Sequence, residues 1–503
     1  MLLEARGISK QFGQTIANDA LSLKFDSGKI HAILGENGAG KTTFLNILFG
    51  LYEPNEGKIF LDEEEVKFRS PKDALSHGIY LVQQNFSLIE NFSVAENLAL
   101  PNGLSLERLN LREVVDKMNS SEQGMKFIID PWTLVSKLPM NLRQLVEIQR
   151  GLLRGSNILL LDEPTSVLGP NEAEELGAVL RRLASEGKMI VLTSHKLSQV
   201  MKLCDDYVVM RRGRIVFSGK GADIRNASEL VRYIFGGDVV IQLPEKKPSE
   251  QSNTLEVREL EVKDEKGRIV VEEVSLKLGK GQVLGVAGVA GNGQKQLAEA
   301  LVGLARISKG DIRFEDVSIK GKTTGELRKD GVGYIPEEGA LTGLVPDFTL
   351  AENLSLTTYD LSGSTILLDS SATKERATGI ISSYSISPSS ETASTRNLSG
   401  GNLQKMIVGR ELSRPLKLLV AYNPTKGLDI RTTILVQQKI LERRNAGSVV
   451  VLVSEDLEEI MQLSDMIAVM FGGRVVGVKE TKELNIQELG RLMSGGLMGR
   501  EGN

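Results

Sequence analysis

The sequence predicts two tandem α/β domains, each built on a largely parallel sheet. Three observations lead there: an internal repeat, short apolar runs alternating with helical patterns, and a glycine-rich segment lying between a strand and a helix. At 503 residues the chain is also too long for one ordinary core.

The repeat comes first because it divides the chain. Phe92-Ser93-Val94-Ala95-Glu96-Asn97-Leu98 recurs as Phe348-Thr349-Leu350-Ala351-Glu352-Asn353-Leu354. Each copy reads as a helix start, with Ser93 or Thr349 as N-cap and a glutamate completing a capping box. Ser156 to Pro164 matches Leu416 to Pro424, and Val208-Val209-Met210 with Gly213-Arg214 matches Ala468-Val469-Met470 with Gly473-Arg474, in the same order. Chance reuse of a capping signal does not explain ordered matches, so the domain is duplicated. Between the copies, Gly236 to Asn253 is polar and without apolar periodicity. The expected division is a first domain over 1–240, a linker over 241–253 and a second domain over 254–503.

Within the first copy, Ile30 to Leu34, Ile158 to Leu161 and Met189 to Thr193 read as strands, and Asn171 to Ser185 reads as a helix. Ser93 to Leu153 reads mostly helical, giving a helical subdomain at about 87–153 with a counterpart at about 347–412.

Composition narrows the function classes. With 41% hydrophobic and 25% charged residues and a formal net charge of -4, the chain has no general basic field, so nucleic acid is not an expected partner. Cys204 is the single cysteine, which excludes an internal disulfide and a cysteine metal cluster and suits a reducing compartment. Met1-Leu2-Leu3-Glu4-Ala5-Arg6 lacks the features of a secretory signal, and no apolar run approaches the roughly 20 residues of a membrane span. Any membrane role is expected to come through a partner.

Gly35-Glu36-Asn37-Gly38-Ala39-Gly40-Lys41-Thr42 matches the phosphate-loop pattern, follows the strand Ile30 to Leu34 and opens a helix that continues with Thr43. Its glycines let backbone N–H groups turn onto phosphate oxygens, Lys41 neutralises β/γ charge, and Thr42 is placed to ligate Mg²⁺. Ile158 to Leu161 ends in Asp162 and Glu163, a carboxylate for the magnesium shell and one to polarise water. Alone, that pair reads equally as a strand entering an acidic turn. Thr193-Ser194-His195 closes another apolar strand, which puts His195 at the same sheet edge.

The phosphate loop, Gln84 after a short strand, Asp162-Glu163-Pro164-Thr165 and His195 together resemble an ATP-binding-cassette (ABC) ATPase, over essentially the whole chain. The resemblance implies ATP and Mg²⁺ as cofactors, an antiparallel β part beside each parallel core, and Phe12 stacking on adenine, where a core phenylalanine is the competing reading. It implies further that Gln84 senses the nucleotide and joins Thr42 and Asp162 around the metal, and that Lys41, Gln84, Glu163 and His195 serve turnover.

In that family two domains pack head to tail, each ATP lying between one phosphate loop and the other domain's Leu-Ser-Gly-Gly-Gln signature. The second copy has Leu398-Ser399-Gly400-Gly401-Asn402, with Ser399 for a hydroxyl and Gly400, Gly401 and Asn402 at a helix N-terminus. The first copy has Leu138-Pro139-Met140-Asn141-Leu142 there. Conversely, the second phosphate loop, Gly288-Val289-Ala290-Gly291-Asn292-Gly293-Gln294-Lys295, has Gln294 in place of lysine, and Lys295 at the metal position cannot ligate an ion. Tyr422-Asn423 replaces Asp-Glu, Glu337 the glutamine and Glu455 the histidine. The losses are complementary: one head-to-tail site is complete, Lys41, Thr42, Gln84, Asp162, Glu163 and His195 facing Ser399 to Asn402, and the other is defective on both faces.

Tandem cassettes with an impaired second phosphate loop resemble the ATPase subunits of bacterial importers for monosaccharides and nucleosides. Val82-Gln83-Gln84-Asn85-Phe86, Tyr334-Ile335-Pro336-Glu337 and Val453-Ser454-Glu455-Asp456-Leu457 lie closer to the nucleoside branch, which includes riboflavin-type systems. That resemblance implies two integral-membrane permease subunits, an extracytoplasmic binding lipoprotein, and a position on the cytoplasmic face of the membrane. The alternatives are a soluble tandem cassette acting on ribosomes, against which the short linker and defective site argue, and a nucleotide-gated scaffold with little turnover.

Overall fold

The long segments that alternate in burial form antiparallel strands, and the short wholly apolar runs form parallel ones, as expected when a strand is covered on one face or on both. The computed structural model describes residues 1–36, 38–83, 86–100, 111–119, 129–165, 168, 170–194, 197–224, 227–236, 243–249, 254–289, 291–337, 342–357 and 370–493. The chain divides into two compact units, Met1–Ile241 and Gln242–Asn503.

In the first unit, β1 (Leu2–Phe12), β2 (Thr15–Asp26), β4 (Glu56–Leu61) and β5 (Glu64–Val66) make an antiparallel sheet in the order β2-β1-β4-β5. A second sheet runs β10-β9-β3-β8-β7-β6, from β3 (Ile30–Leu34), β6 (Ile79–Val82), β7 (Ile158–Leu161), β8 (Met189–Ser194), β9 (Asp206–Arg211) and β10 (Arg214–Lys220). All its pairings are parallel except β9 with β10. Every residue of β3, β7 and β8 is buried. Phe25 of β2 and Phe44 of the helix Lys41–Leu48 are fully buried in the core between the sheets, each contributing about 1.5–3 kcal/mol of burial.

The second unit repeats the plan. Its antiparallel sheet, β12-β11-β14-β15, uses β11 (Leu255–Lys263), β12 (Ile269–Leu278), β14 (Ile307–Phe314) and β15 (Val317–Ser318). Its main sheet, β16-β17-β18-β13-β19-β20, uses β13 (Val283–Ala287), β16 (Val332–Ile335), β17 (Leu418–Tyr422), β18 (Val449–Val453), β19 (Met466–Phe471) and β20 (Arg474–Glu480).

Both repeated helix starts form as capping boxes. Ser93 N donates to Glu96 Oε2 at 2.7 Å and Glu96 N to Ser93 Oγ at 3.2 Å; the Thr349–Glu352 pair repeats this at 2.7 and 3.3 Å. The next residue, Asn97 or Asn353, is wholly buried and bonds both ways to the backbone of Ile89 or Val345, fixing the segment that leads from the sheet into the helical part. The first helical part holds Val94–Ala99, Leu111–Asn119 and Met140–Leu153, and the second holds Leu350–Ser355, Ser370–Ser383 and Gly400–Leu412.

The two units join helix to sheet by different chemistry at one place. In the first, Tyr80 of β6 donates to Glu147 Oε2 at 3.1 Å and accepts from Arg150 Nε at 2.7 Å, and Ser87 N donates to Glu147 Oε1 at 2.7 Å. A Cβ at Gly151 would lie 2.6 Å from the Tyr80 ring. In the second unit Gly333 replaces the tyrosine and Glu411 the glycine, and Glu411 pairs with Arg414 at 3.0 Å. A ring and a missing side chain are exchanged for a missing ring and a carboxylate, so each solution excludes half of the other.

The stretch read as a linker is fastened to the second unit over 243–249. Lys246 Nζ donates to Ser464 O at 2.7 Å, and Arg444 Nη1 donates to Lys247 O at 2.8 Å.

Glu459, buried beside the end of β18, accepts from Ser454 Oγ at 2.7 Å. Burial pushes its carboxyl up to about 7, against the lowering effect of its hydrogen bonds to Ser454, Thr425 and Gln437, and Asp456 adds to the rise. The first unit has neutral Gln199 at this position. A raised acid pKa means that the folded domain holds the proton more tightly than the unfolded chain, so its stability falls as pH rises from about 4.5 through about 7, by up to about 3 kcal/mol. Glu459→Gln is therefore expected to raise the melting temperature of the second domain by about 6–12 °C at pH 8 and to leave it nearly unchanged at pH 4.5. Calorimetry at the two pH values measures the difference, and equal shifts at both would contradict a neutral carboxyl.

Candidate functional site

The carboxyl ends of β3, β6, β7 and β8 lie along one edge of the first main sheet, because Leu34 pairs with Ser194, Leu161 with Leu192, and Val82 with Leu161. Crevices outside such ends are where open α/β sheets bind ligands. The chain leaves β3 through Gly35, where a Cβ would lie 2.3 Å from Met210 O, and enters the helix Lys41–Leu48 through Gly40, at φ +97°, where one would lie 2.2 Å from Ala17 O. Only glycine fits either position. Gly38 also takes a positive φ, and Ala39 N closes the turn onto Glu36 O at 3.1 Å. Gly40 has no side chain to cap the helix, so its first amides are left for an anion. Thr42 is exposed and Thr43 half-buried in the first turn.

Lys41 is folded under the loop, its ammonium 2.8 Å from Gly35 O and 3.0 Å from Glu36 O. Burial pushes its pKa down, while Glu163, Asp162 and Glu36 pull the other way. A phosphate would supply the counter-charge that burial makes costly to lack.

Asp162 is buried at the end of β7 and accepts from Thr42 Oγ1 at 3.2 Å and from Thr193 Oγ1 at 2.6 Å. The Thr193 hydroxyl also accepts from Glu163 N at 2.9 Å, so one side chain at the end of β8 orients both acidic residues. Glu163 is held at φ +49°, a left-handed conformation that costs a side chain about 1–2 kcal/mol. The neighbouring oxygens of Thr42 and Asp162 fit a hard divalent ion that keeps water and phosphate as its other ligands.

Phe12, at the tip of β1, is 44% exposed, meets Tyr52 edge-on at 5.2 Å, and lies 5.4 Å from the Lys10 ammonium. A core role is thereby excluded, and the exposed part of the ring is accessible to a planar group from solvent. Asn37, Gln84 and His195, also expected at this site, lie outside the described residues.

The second domain keeps the backbone and changes the chemistry. Gly293 repeats the Gly40 geometry, with a Cβ 2.2 Å from Val270 O, and Gln294 is buried where Lys41 would be, its amide donating to Val289 O at 3.0 Å. Lys295 is exposed. No aromatic residue stands in Lys263-Asp264-Glu265-Lys266-Gly267, the counterpart of the Phe12 segment. Asn423 takes φ +45°, the same turn as Glu163 with a residue that tolerates it. Its amide donates to Glu337 Oε1 at 2.9 Å and accepts from Glu455 N at 2.8 Å. Lys426 bridges Glu337 at 2.9 Å and Glu455 at 3.4 Å. The Glu455 charge is thus shared with an ammonium of the same domain.

The signature positions also differ. Ser399 caps the helix Gly400–Leu412, accepting from Asn402 N at 3.4 Å and Asn402 Nδ2 at 3.1 Å, and a Cβ at Gly400 would meet nothing within 4 Å. Pro139 precedes the helix Met140–Leu153 without a side-chain cap.

A sequence profile of the family described as ABC transporter matches residues 18–166 and 271–426. The chain belongs to the ABC transporter family. Its two cassettes make it an ATPase. Among relatives, the chain is 37% identical to the guanosine import ATP-binding protein of Bacillus subtilis over 98% of this chain and 97% of that protein. It is 35% identical to the nucleoside import ATP-binding protein of Lactococcus lactis over 97% of both. A solved structure of RNase-L inhibitor, 19% identical, shares the fold over 98% of this chain and 93% of that one, with a TM-score of 0.67. Among the described residues of this ABC protein no helix is long and apolar enough to cross a membrane.

Sequence reading of the cassettes passed over Thr193 and Lys426. Thr193 was visible only as the residue before Ser194 and His195, though its counterpart Val453 loses the hydroxyl just where Asp162 becomes Tyr422. Lys426 stands where the first domain has Ser166, directly after a Pro-Thr pair that both domains share, and that exchange of serine for a charge is its signal in the sequence.

Proposed function

We propose that this chain is the ATP-hydrolysing subunit of a nucleoside importer, with one hydrolytic site made from the first domain's phosphate loop and the second domain's signature. The observation that carries this reading is the complementarity of the losses: Lys41, Thr42 and the Asp162-Glu163 pair stand in the domain that has Pro139, while Ser399, Gly400, Gly401 and Asn402 stand in the domain that has Gln294 and Asn423. A pairing of each domain with its own kind would leave every site incomplete. The nucleoside assignment follows the names of the two relatives described above.

In this reading Phe12 stacks on adenine, the amides from Glu36 to Thr43 cradle the phosphates, and Lys41 swings from its carbonyl contacts to the β/γ oxygens. Thr42 and Asp162, with Gln84, would hold Mg²⁺, which when bound supplies charge stabilisation on the phosphate oxygens. Glu163 polarises the attacking water, and His195 and the Ser399 hydroxyl hydrogen-bond at the γ-phosphate. Cytoplasmic helices of two permease subunits would dock at the segments after Gln84 and Glu337; beside Glu337 a cavity of about 630 Å³ lies between the helix Gln294–Leu301 and the helix Gly400–Leu412. An external binding lipoprotein would deliver the solute, with this chain at the cytoplasmic face.

Ser399→Ala is expected to lower kcat for ATP by about 10²-fold, the loss typical of one preorganised donor, whereas Pro139→Ala changes it less than about twofold. Labelled-nucleoside uptake by cells carrying each variant should fall and persist in the same pattern. Equal losses from both substitutions would refute the single-site assignment, and unaltered nucleoside uptake on deletion of the gene would refute the cargo.

A further inference from the structure

The ion bridge in the second domain reaches farther than the degenerate site it occupies. Lys426 ties together Glu337, two residues past β16, and Glu455, two residues past β18. Glu337 is the centre: its Oε1 accepts from Lys426 and from Asn423, and Tyr422 bonds to it as well. In the first domain the corresponding segments carry the residues expected around the γ-phosphate and metal. In the second they are joined by the chain's own ammonium.

The turn that carries Lys426 also abuts the signature helix. Lys426 N donates to Asn423 O at 3.1 Å, closing the turn. On its other side Pro424 O accepts from Gln404 Nε2 at 3.3 Å, in the second turn of the helix Gly400–Leu412, and Asp429 pairs with Lys405 of that helix at 2.8 Å. Gly401 approaches the same turn so closely that a Cβ on it would lie 3.2 Å from Gly427 O. Gln404, Lys405 and Gly401 thus rest on a turn whose far side is anchored by the Glu337–Lys426–Glu455 bridge. The first turn of that helix presents Ser399 to Asn402.

We infer that Lys426 is a positioning residue for ATP hydrolysis: by holding the turn Asn423 to Gly427 against Glu337 and Glu455, it sets the position of the Ser399–Asn402 signature. This rests on the shared-site reading above, because the signature matters to turnover only if it completes the first domain's site. Without Lys426, Glu337 and Glu455 lose the cation that bridges them, and the turn is left to the hydrogen bonds that Asn423 makes with the same two residues. Displacement by a fraction of an ångström at a γ-phosphate contact weakens transition-state stabilisation and leaves binding of the nucleotide to Lys41 and Phe12 intact.

The test is steady-state ATPase kinetics of the full-length chain with Lys426→Met, Lys426→Arg and Ser399→Ala, with amide exchange followed over residues 400–404. Lys426→Met is expected to lower kcat about tenfold with KM for ATP within about twofold, and to speed exchange at 400–404, while Lys426→Arg, keeping the bridging cation, regains at least about half of the wild-type kcat. Loss in KM alone, failure of arginine to rescue a folded protein, or unchanged kcat in Lys426→Met overturns the inference. Should Ser399→Ala keep full turnover, the shared site itself fails; should Ser399→Ala lose turnover while Lys426→Met keeps it, only the role of Lys426 fails.

Discussion

Glu163→Gln is expected to lower kcat for ATP hydrolysis by about 10²–10⁴-fold, the range for removing a positioned general base, while the protein still binds ATP. The substitution keeps size and hydrogen-bonding shape, so the Glu163 N contact with Thr193 Oγ1 at 2.9 Å and the left-handed turn at φ +49° should survive. What is lost is the negative oxygen that can take a proton from water. The matching substitution in the second domain, Asn423→Ala, removes a residue that has no carboxylate; it loosens the same turn that Lys426 holds, through the lost contacts with Glu337 and Glu455, and is expected to lower kcat by no more than about tenfold. Rapid-quench and steady-state measurements on the two proteins decide it: similar losses would place chemistry in both cassettes, and full turnover in Glu163→Gln would remove the base from the mechanism.

Lys41→Ala is expected to weaken ATP binding by about 10- to 100-fold, because a charged hydrogen bond to phosphate contributes about 1.5–3 kcal/mol. The unliganded protein should tolerate the change better than most buried substitutions, since burial already disfavours the ammonium, whose pKa is pushed down despite the nearby Glu163, Asp162 and Glu36. The measurable consequence is a divergence between two melting temperatures. The ligand-free value moves little, and the stabilisation that saturating ATP confers on the first domain largely disappears. Gln294→Ala, at the corresponding place in the second domain, should leave ATP-dependent stabilisation of the first domain unaltered. Persistence of that stabilisation in Lys41→Ala would show that Lys41 does not contact the phosphates.

Much of the architecture was open to reading from residues alone. Ile30–Leu34 and Ile158–Leu161 form the strands that their apolar runs predict, because a buried parallel strand needs side chains apolar on both faces and little else. The helix starts at Ser93 and Thr349 are local too: donor, acceptor and spacing all lie within four residues. The antiparallel sheets came only with the family resemblance, since β1, β2 and β4 mix charged and apolar residues and are interrupted by register shifts that blur a two-residue period.

For the nucleotide sites, motif spacing named Lys41, Thr42, Asp162 and Glu163, and the matching of one half against the other exposed Gln294, Tyr422 and Asn423 in the second cassette. These are statements about residue type at a position, and covalent order determines them. Which atoms meet is another matter. That Thr193 Oγ1 serves Asp162 and Glu163 together, that Tyr80 excludes a side chain at Gly151, and that Lys426 lies between Glu337 and Glu455 each depend on segments dozens of residues apart being brought within about 3 Å. Hydrogen bonds and ion pairs decay over a fraction of an ångström to a few ångströms, whereas sequence patterns report only which face of a strand or helix a residue occupies. The duplication and its unequal chemistry were therefore written in the order of residues, and the contacts that orient the acidic pair and anchor the second cassette's turn were decided by packing.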